Sequence, residues 1–267
     1  SPMSEFDFKN KRDSQRIATL DCETPEIALH SVSNIFGLTR TELIDFIKKF
    51  DLDDYIKKYG NTEDRPADIV LKSLLIQTNC NWGFSHTAWF HMTRCLPTEE
   101  FELGLKPLLE IIDDIWELLF KINPTPIERT KWDKYRELLE TDSSGIYQHR
   151  IKTPSEHGPD GNLVNGLRSR EDGETCIQDH YLKKAPEIII CICEHYNNLL
   201  NEYTRVTRPC IVKFETPHSK LEHLSTALYY VYERLQPEPE FDNTYNANYI
   251  GNGVPIYPDK IKKKIFS

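Results

Sequence analysis

The sequence predicts an α+β fold, in which an N-terminal helical layer precedes a mixed domain with a small central β-sheet and peripheral helices. Three observations carry this expectation. Positions 24–78 repeat helix-start residues followed by apolar side chains at helical spacing. After Asn81 the character changes, and Gly83 with its aromatic and β-branched neighbours leads into a strand through His91. A second apolar run at 208–215 reads as another strand. The change in composition divides the chain into residues 1–80, an N-terminal arm and helical accessory region, and residues 81–267, a mixed α+β domain.

The elements follow in order. Residues 4–23 are polar and aperiodic, which suits either a mobile arm or an early strand. Thr24-Pro25-Glu26 combines an N-cap, a first-turn proline and an acid near the helix start, and Gly37 is placed to end that helix. Thr39-Arg40-Thr41-Glu42 is a capping box, and Leu43, Ile44, Phe46, Ile47 and Phe50 mark one face of the helix it opens. A third helix is expected over 65–78. Beyond the His91 strand, 98–103 fits a short helix closed by Gly104, and 108–120 and 127–139 carry helical periodicity on either side of Asn123-Pro124-Thr125-Pro126.

Positions 141–174 are rich in Gly, Ser, Asp, Asn and Pro and read as a long loop. A buried helix is expected over 185–203, because Pro186-Glu187 supplies a helix start ahead of the isoleucine run. A helix over 219–235 follows the 208–215 strand, with Leu221, Leu224, Leu228, Val231 and Leu235 on its apolar stripe. The tail offers a strand near 248–256 and a last short helix after Pro258. In that helix Lys260, Lys262, Lys263 and Lys264 would complement the helix dipole.

Composition narrows the function. With 42 acidic against 33 basic side chains the net charge is -9, which disfavours nonspecific attraction to a phosphate backbone. The seven cysteines form no CxxC pair, and their odd, scattered placement suits a reducing compartment. No run approaches the roughly 18 apolar residues of a membrane span, and the start of the chain has no basic-then-apolar leader pattern. The expectation is a soluble cytoplasmic protein without a membrane partner. GxSxG, HExxH, Walker and GxGxxG patterns are missing from the sequence, which argues against the common hydrolase, zinc-protease, P-loop and Rossmann chemistries. Cys176 and His180 could share a helical face, and Cys191, Cys193 and His195 are close in sequence. Alternate residues on a helix diverge by about 200°, so no metal site is expected.

Chemistry is suggested by Trp89-Phe90-His91-Met92-Thr93-Arg94-Cys95 and by Gly104-Leu105 after it. In a strand, His91 and Thr93 share a face while Arg94 points to the other. His91-Met92-Thr93 with Gly104-Leu105 resembles the first motif of the ADP-ribosyltransferase superfamily, which includes diphtheria-like toxins, poly-ADP-ribose polymerases, DNA-modifying toxins and RNA 2'-phosphotransferases. Positions 249–261, with Gly253-Val254-Pro255-Ile256, look like the closing strand and proline turn of that superfamily.

The resemblance implies NAD as substrate, a protein or nucleic-acid acceptor, and a role as toxin or defence factor. It implies that His91 and Thr93 contact the nicotinamide ribose, that Arg94 meets a phosphate, and that Tyr181 stacks on nicotinamide. The catalytic glutamate of such enzymes would fall within 243–249, where this chain has no acid. Glu215 is then the candidate catalytic acid beside His91, with Glu238 and Glu240 lying among prolines upstream of the expected position.

Two other readings remain. An RNA 2'-phosphotransferase would rely on His91 with Arg94, Arg205 and Arg208 as phosphate ligands. A noncatalytic interaction or regulatory module would use the helical N-terminal layer to hold a partner, with the His91 strand purely structural. Tyr229 and Tyr232 are expected to serve helix packing.

Overall fold

Helix α1 (Pro25–Phe36) begins where Thr24 Oγ1 accepts the Ile27 N–H at 3.1 Å, and it ends at Gly37, which adopts φ +62°. There the Gly37 and Leu38 N–H groups close onto the Asn34 and Ser33 carbonyls. The capping box of α2 (Arg40–Lys49) forms as expected, with Thr39 and Glu42 exchanging side-chain-to-backbone bonds. Asp51 caps α3 (Leu52–Tyr59), a helix not anticipated from the sequence, and α4 spans Pro66–Thr78. These elements come from a computed structural model that describes residues 6–60, 63–152, 154–155, 158–159, 165–167, 185–238, 248–250 and 254–266.

The chain divides into two compact units. One holds the described residues up to Trp89, Leu167 and those from Glu215 to 238; the other holds the described residues of Phe90–Gly166, Gly173–Phe214 and Asn248–Ser267. In the first unit, the helix over Leu221–Arg234 packs on α4 and α1. Its Leu224, Ala227 and Leu228 are buried with Val32, Ile35, Val70, Leu71 and Leu74. Tyr232 plays the packing role expected of it. Its hydroxyl donates to the Phe50 carbonyl and accepts the Leu52 N–H, closing the junction between α2 and α3.

The described residues ahead of α1 are not a loose arm. Thr19–Leu20 form β1, parallel to His86 and Thr87 of β2 (His86–Cys95). The Arg16 guanidinium bonds the Ile35 and Asn81 carbonyls at 2.7 and 3.0 Å, which anchors the segment to the end of α1.

The second unit contains α5 (Leu108–Ile122), α6 (Arg129–Thr141) and α7 (Ile146–Lys152), the last within the stretch read from sequence as loop. The single helix expected over 185–203 is instead two, α8 (Glu187–Ile192) and α9 (Asn197–Val206), joined by a 3-10 turn over Cys193–His195. Aromatic packing explains the break. Tyr135 donates its hydroxyl to the Ile192 carbonyl at 2.6 Å, and the Tyr196 ring lies among Trp132 and Tyr135, with the Tyr196 backbone at φ -134° and ψ 67°. Trp116 donates its ring N–H to the Tyr147 hydroxyl at 3.0 Å, so the indole at the centre of this cluster is satisfied without water. The helix over Leu221–Arg234 becomes α10 in chain order.

Short strands β3 (Pro154–Ser155) and β4 (Gly158–Pro159) pair with each other. The main sheet has the order β7–β5–β2–β6–β8, with β1 on β2 outside that path; β5 is Asn165–Leu167, β6 Arg208–Thr216, β7 Asn248–Ile250 and β8 Ile261–Phe266. The contacts of β2 with β6 and its continuation run in opposite senses, Thr87 with His218, Trp89 with Thr216 and Cys95 with Cys210, so the two strands are antiparallel.

The expected α+β architecture is therefore present. Among the described residues no helix is long and apolar enough to cross a membrane. Two local expectations are corrected. The lysine run does not close a helix: after a 3-10 turn over Pro258–Lys260 it lies in β8, antiparallel to β6. Lysines suit this position because β8 ends the sheet order, and charge on an edge strand discourages further pairing. Residues 98–103 form turns rather than a helix, and Gly104 is needed for another reason.

Gly104 adopts φ +80°, and a Cβ there would lie 2.0 Å from the Ile256 carbonyl oxygen. The close approach serves a bridge in which Leu105 and Ile256 exchange N–H···O bonds of 2.8 Å each. Gly104→Ala is therefore expected to lower stability by about 2 kcal/mol or more, because strain and displacement of the bridge act together. Urea unfolding of the two proteins measures this, and an unchanged midpoint would contradict the account.

Candidate functional site

Strand β2 is built for two kinds of face. Its apolar start, Ala88-Trp89-Phe90, is buried, whereas His91, Met92 and Thr93 are half-buried. Phe90 packs with Ile211, Met92 and Ile265, so one face of the strand is tied into β6 and β8. Alternation places His91, Thr93 and Cys95 on the opposite face. The Thr93 hydroxyl donates to the Arg94 carbonyl at 3.3 Å. His91 and Thr93 thus stand two residues apart on one strand face, as the sequence implied.

Arg94 is buried and engaged with the end of α9. Its Nε donates to Thr207 Oγ1 at 3.1 Å, and one terminal nitrogen donates to the Thr204 and Thr207 carbonyls at 3.0 Å each. Thr207 Oγ1 in turn donates to the Tyr203 carbonyl at 2.6 Å. A cation at a helix C-terminus supplies donors to carbonyls that have no partner within the helix, and it opposes the dipole. Burial pulls the Arg94 pKa below the ordinary arginine range, but the group remains a cation. This geometry gives Arg94 a structural role that the expected phosphate contact did not foresee. Sequence offered one signal for it, the opposite parity of Arg94 and the His91–Thr93 pair.

Glu215 is half-buried in β6 and belongs to the first unit, whereas His91 and Thr93 belong to the second. Near Glu215, Trp89 donates its ring N–H to Thr216 Oγ1 at 2.8 Å, and that hydroxyl lies 2.7 Å from His218 Nδ1. Burial, with Lys220 nearby, holds the His218 pKa below the ordinary histidine value. Arg205 is paired with Glu202, and Arg208 is exposed. Glu238 is exposed beyond α10. Tyr181, Glu240, Cys176 and His180 lie outside the described residues. Among the described residues no group of three or more His, Cys, Asp or Glu side chains is arranged to hold a metal ion.

Two segments that carried the resemblance do meet. Gly104-Leu105, after the His91 strand, and Ile256, in the tail, are joined by the backbone bridge described above, although they are 151 positions apart in the chain. Sequence reasoning missed a different feature, a concavity of about 500 Å3 among α2, α3 and α4 in the first unit. Phe50, Tyr55, Tyr59 and Ile76 line it together with Asp51, Asp54, Lys49 and Lys58. Tyr59 and Ile76 are 43% and 49% exposed, large side chains that the helical layer leaves uncovered. The signal available in sequence was the pair Tyr55 and Tyr59 at i,i+4 spacing, whose rings lie 4.7 Å apart.

No known family model, characterised protein or solved structure matches this chain.

The geometry separates two neighbouring residues by consequence. Arg94→Met should destabilise the second unit by about 2–4 kcal/mol, since two carbonyls and a hydroxyl lose a charged donor in a buried place. His91→Ala should change stability by no more than about 1 kcal/mol. Thermal unfolding of both variants beside the wild type checks the contrast.

Proposed function

We propose that the second unit binds NAD as a substrate in the manner of the ADP-ribosyltransferase superfamily, with His91 and Thr93 at the nicotinamide ribose. The observation that carries this reading is the Leu105–Ile256 bridge. It joins the two stretches on which the resemblance rests, and both lie in the same unit as His91 and Thr93. A ring nitrogen of His91 donating to a ribose hydroxyl, with the Thr93 hydroxyl on the same face, would orient the sugar. In transfer the bond between ribose C1' and the nicotinamide nitrogen breaks, and its electron pair leaves with nicotinamide. An acceptor nucleophile then bonds to C1' and loses its proton. Binding in this reading draws on the second unit alone and gives no part to Arg94 or to Glu215. A toxin or defence factor acting on a protein or nucleic acid is the biological setting we attach to it.

Calorimetric titration with NAD, with nicotinamide release followed in the same samples, tests the proposal. Saturable binding that His91→Ala weakens by tenfold or more is the expected result, and nicotinamide release accompanies it if transfer follows. No binding at millimolar NAD would overturn it.

A second reading is favoured by the α2–α4 concavity. Exposed aromatic and aliphatic surface flanked by charges of both signs is the character of a partner-binding site, and it supports a noncatalytic interaction module working through the helical layer. Tyr59→Ser combined with Ile76→Ser should abolish co-purification of a partner from native cells while leaving the unfolding transition within about 1 kcal/mol of wild type. Equal recovery with both proteins would remove this reading.

A further inference from the structure

We infer that Cys95 and Cys210 are a redox-modifiable pair, converted by a peroxide into a disulfide that fastens β2 to β6. Both thiols are free, and their sulfur atoms are 3.4 Å apart on adjacent antiparallel strands. Facing residues on such strands have Cα atoms about 4.5–5.5 Å apart, inside the range a disulfide spans. Closing the sulfurs to about 2.05 Å therefore asks for side-chain rotation rather than strand movement. This inference is independent of the NAD reading.

The two cysteines are not equivalent. Cys95 is half-exposed at the end of β2, and Cys210 is buried in β6. The thiol hydrogen bond with Cys210 holds the Cys95 pKa below the ordinary thiol value, assisted by Lys264 and Arg94 and opposed by burial and Glu99. Lys264 is itself positioned by the Glu99 carbonyl and by the Glu100 carboxylate at 3.3 Å. The same sulfur-to-sulfur bond and burial push the Cys210 thiol up. Burial also raises Cys80 and Cys191, and it takes Cys193 to about 12. Thiolate character and access decide which thiol an oxidant meets first: access favours Cys95 over Cys210, and thiolate character favours it over Cys80, Cys191 and Cys193 as well.

The chemistry closes with hydrogen peroxide as oxidant. The Cys95 thiolate attacks one peroxide oxygen, the O–O bond breaks, and hydroxide leaves and takes up the proton released by the thiol, giving a sulfenic acid and one water. The Cys210 sulfur then loses its proton and attacks the Cys95 sulfur. The S–O bond breaks, and a second water leaves. Two thiols and one peroxide thus become one disulfide and two waters. Cys210, sheltered but adjacent, is the resolving thiol.

The experiment treats the reduced chain with a few equivalents of hydrogen peroxide and maps its peptides by mass spectrometry without reduction. The expected product is a linked Cys95–Cys210 peptide, with an intact mass lower by two hydrogens that dithiothreitol restores. Cys210→Ser should leave Cys95 as a sulfenic acid trapped by dimedone, and Cys95→Ser should leave Cys210 unmodified. A wild-type map in which Cys95 stays reduced, is overoxidised without the link, or joins another cysteine would overturn the inference whether or not the variants fold.

Discussion

The constraint on which this structure turns is the need of β2 for partners along both edges. It lies between β5 and β6 in the sheet order and takes β1 at its start, so its backbone donors and acceptors are met by other strands. A strand so enclosed buries apolar side chains readily, and Thr87, Ala88, Trp89 and Phe90 are buried. Beyond that run His91 and Thr93 stand half-buried, and Arg94 is buried again against the end of α9. The polar pair therefore has its position because the preceding apolar run fixes the register of the strand.

Charge near that strand serves the fold before it serves any ligand. Arg94 closes the end of α9, Arg16 closes the end of α1 through the Ile35 carbonyl, and Lys264 is held at the turn containing Glu99 and Glu100. Each cation meets carbonyl or carboxylate oxygens of the chain itself. A phosphotransferase built on clustered arginines finds little support here, since Arg94 and Arg205 already have protein acceptors.

Local signals were the legible part of the chain. Thr24 and Gly37 bounded α1, and the Thr39–Glu42 box opened α2, because caps act through bonds between residues a turn apart. The strand through His91 and the strand at 208 were legible from short-range pattern alone. Less legible were α3, whose apolar face is small, and the break at Cys193–His195, which depends on Tyr135 reaching the Ile192 carbonyl from 57 positions away. In the candidate site, the parity of His91 and Thr93 could be read, whereas the attachment of Arg94 to Thr204 and Thr207 could not.

By itself the sequence determined where α1 and α2 start, which residues of β2 share a face, and an α+β architecture, all of which follow from hydrogen bonds and side-chain periods within a few residues. Only the tertiary structure decided that the lysine tail is a strand on β6, that Gly104 serves a bridge with Ile256, and that Cys95 faces Cys210. Those outcomes depend on which distant segment supplies the missing partner. A backbone group must find an acceptor or donor when buried, but neither its own side chain nor its neighbours' says which one it will be.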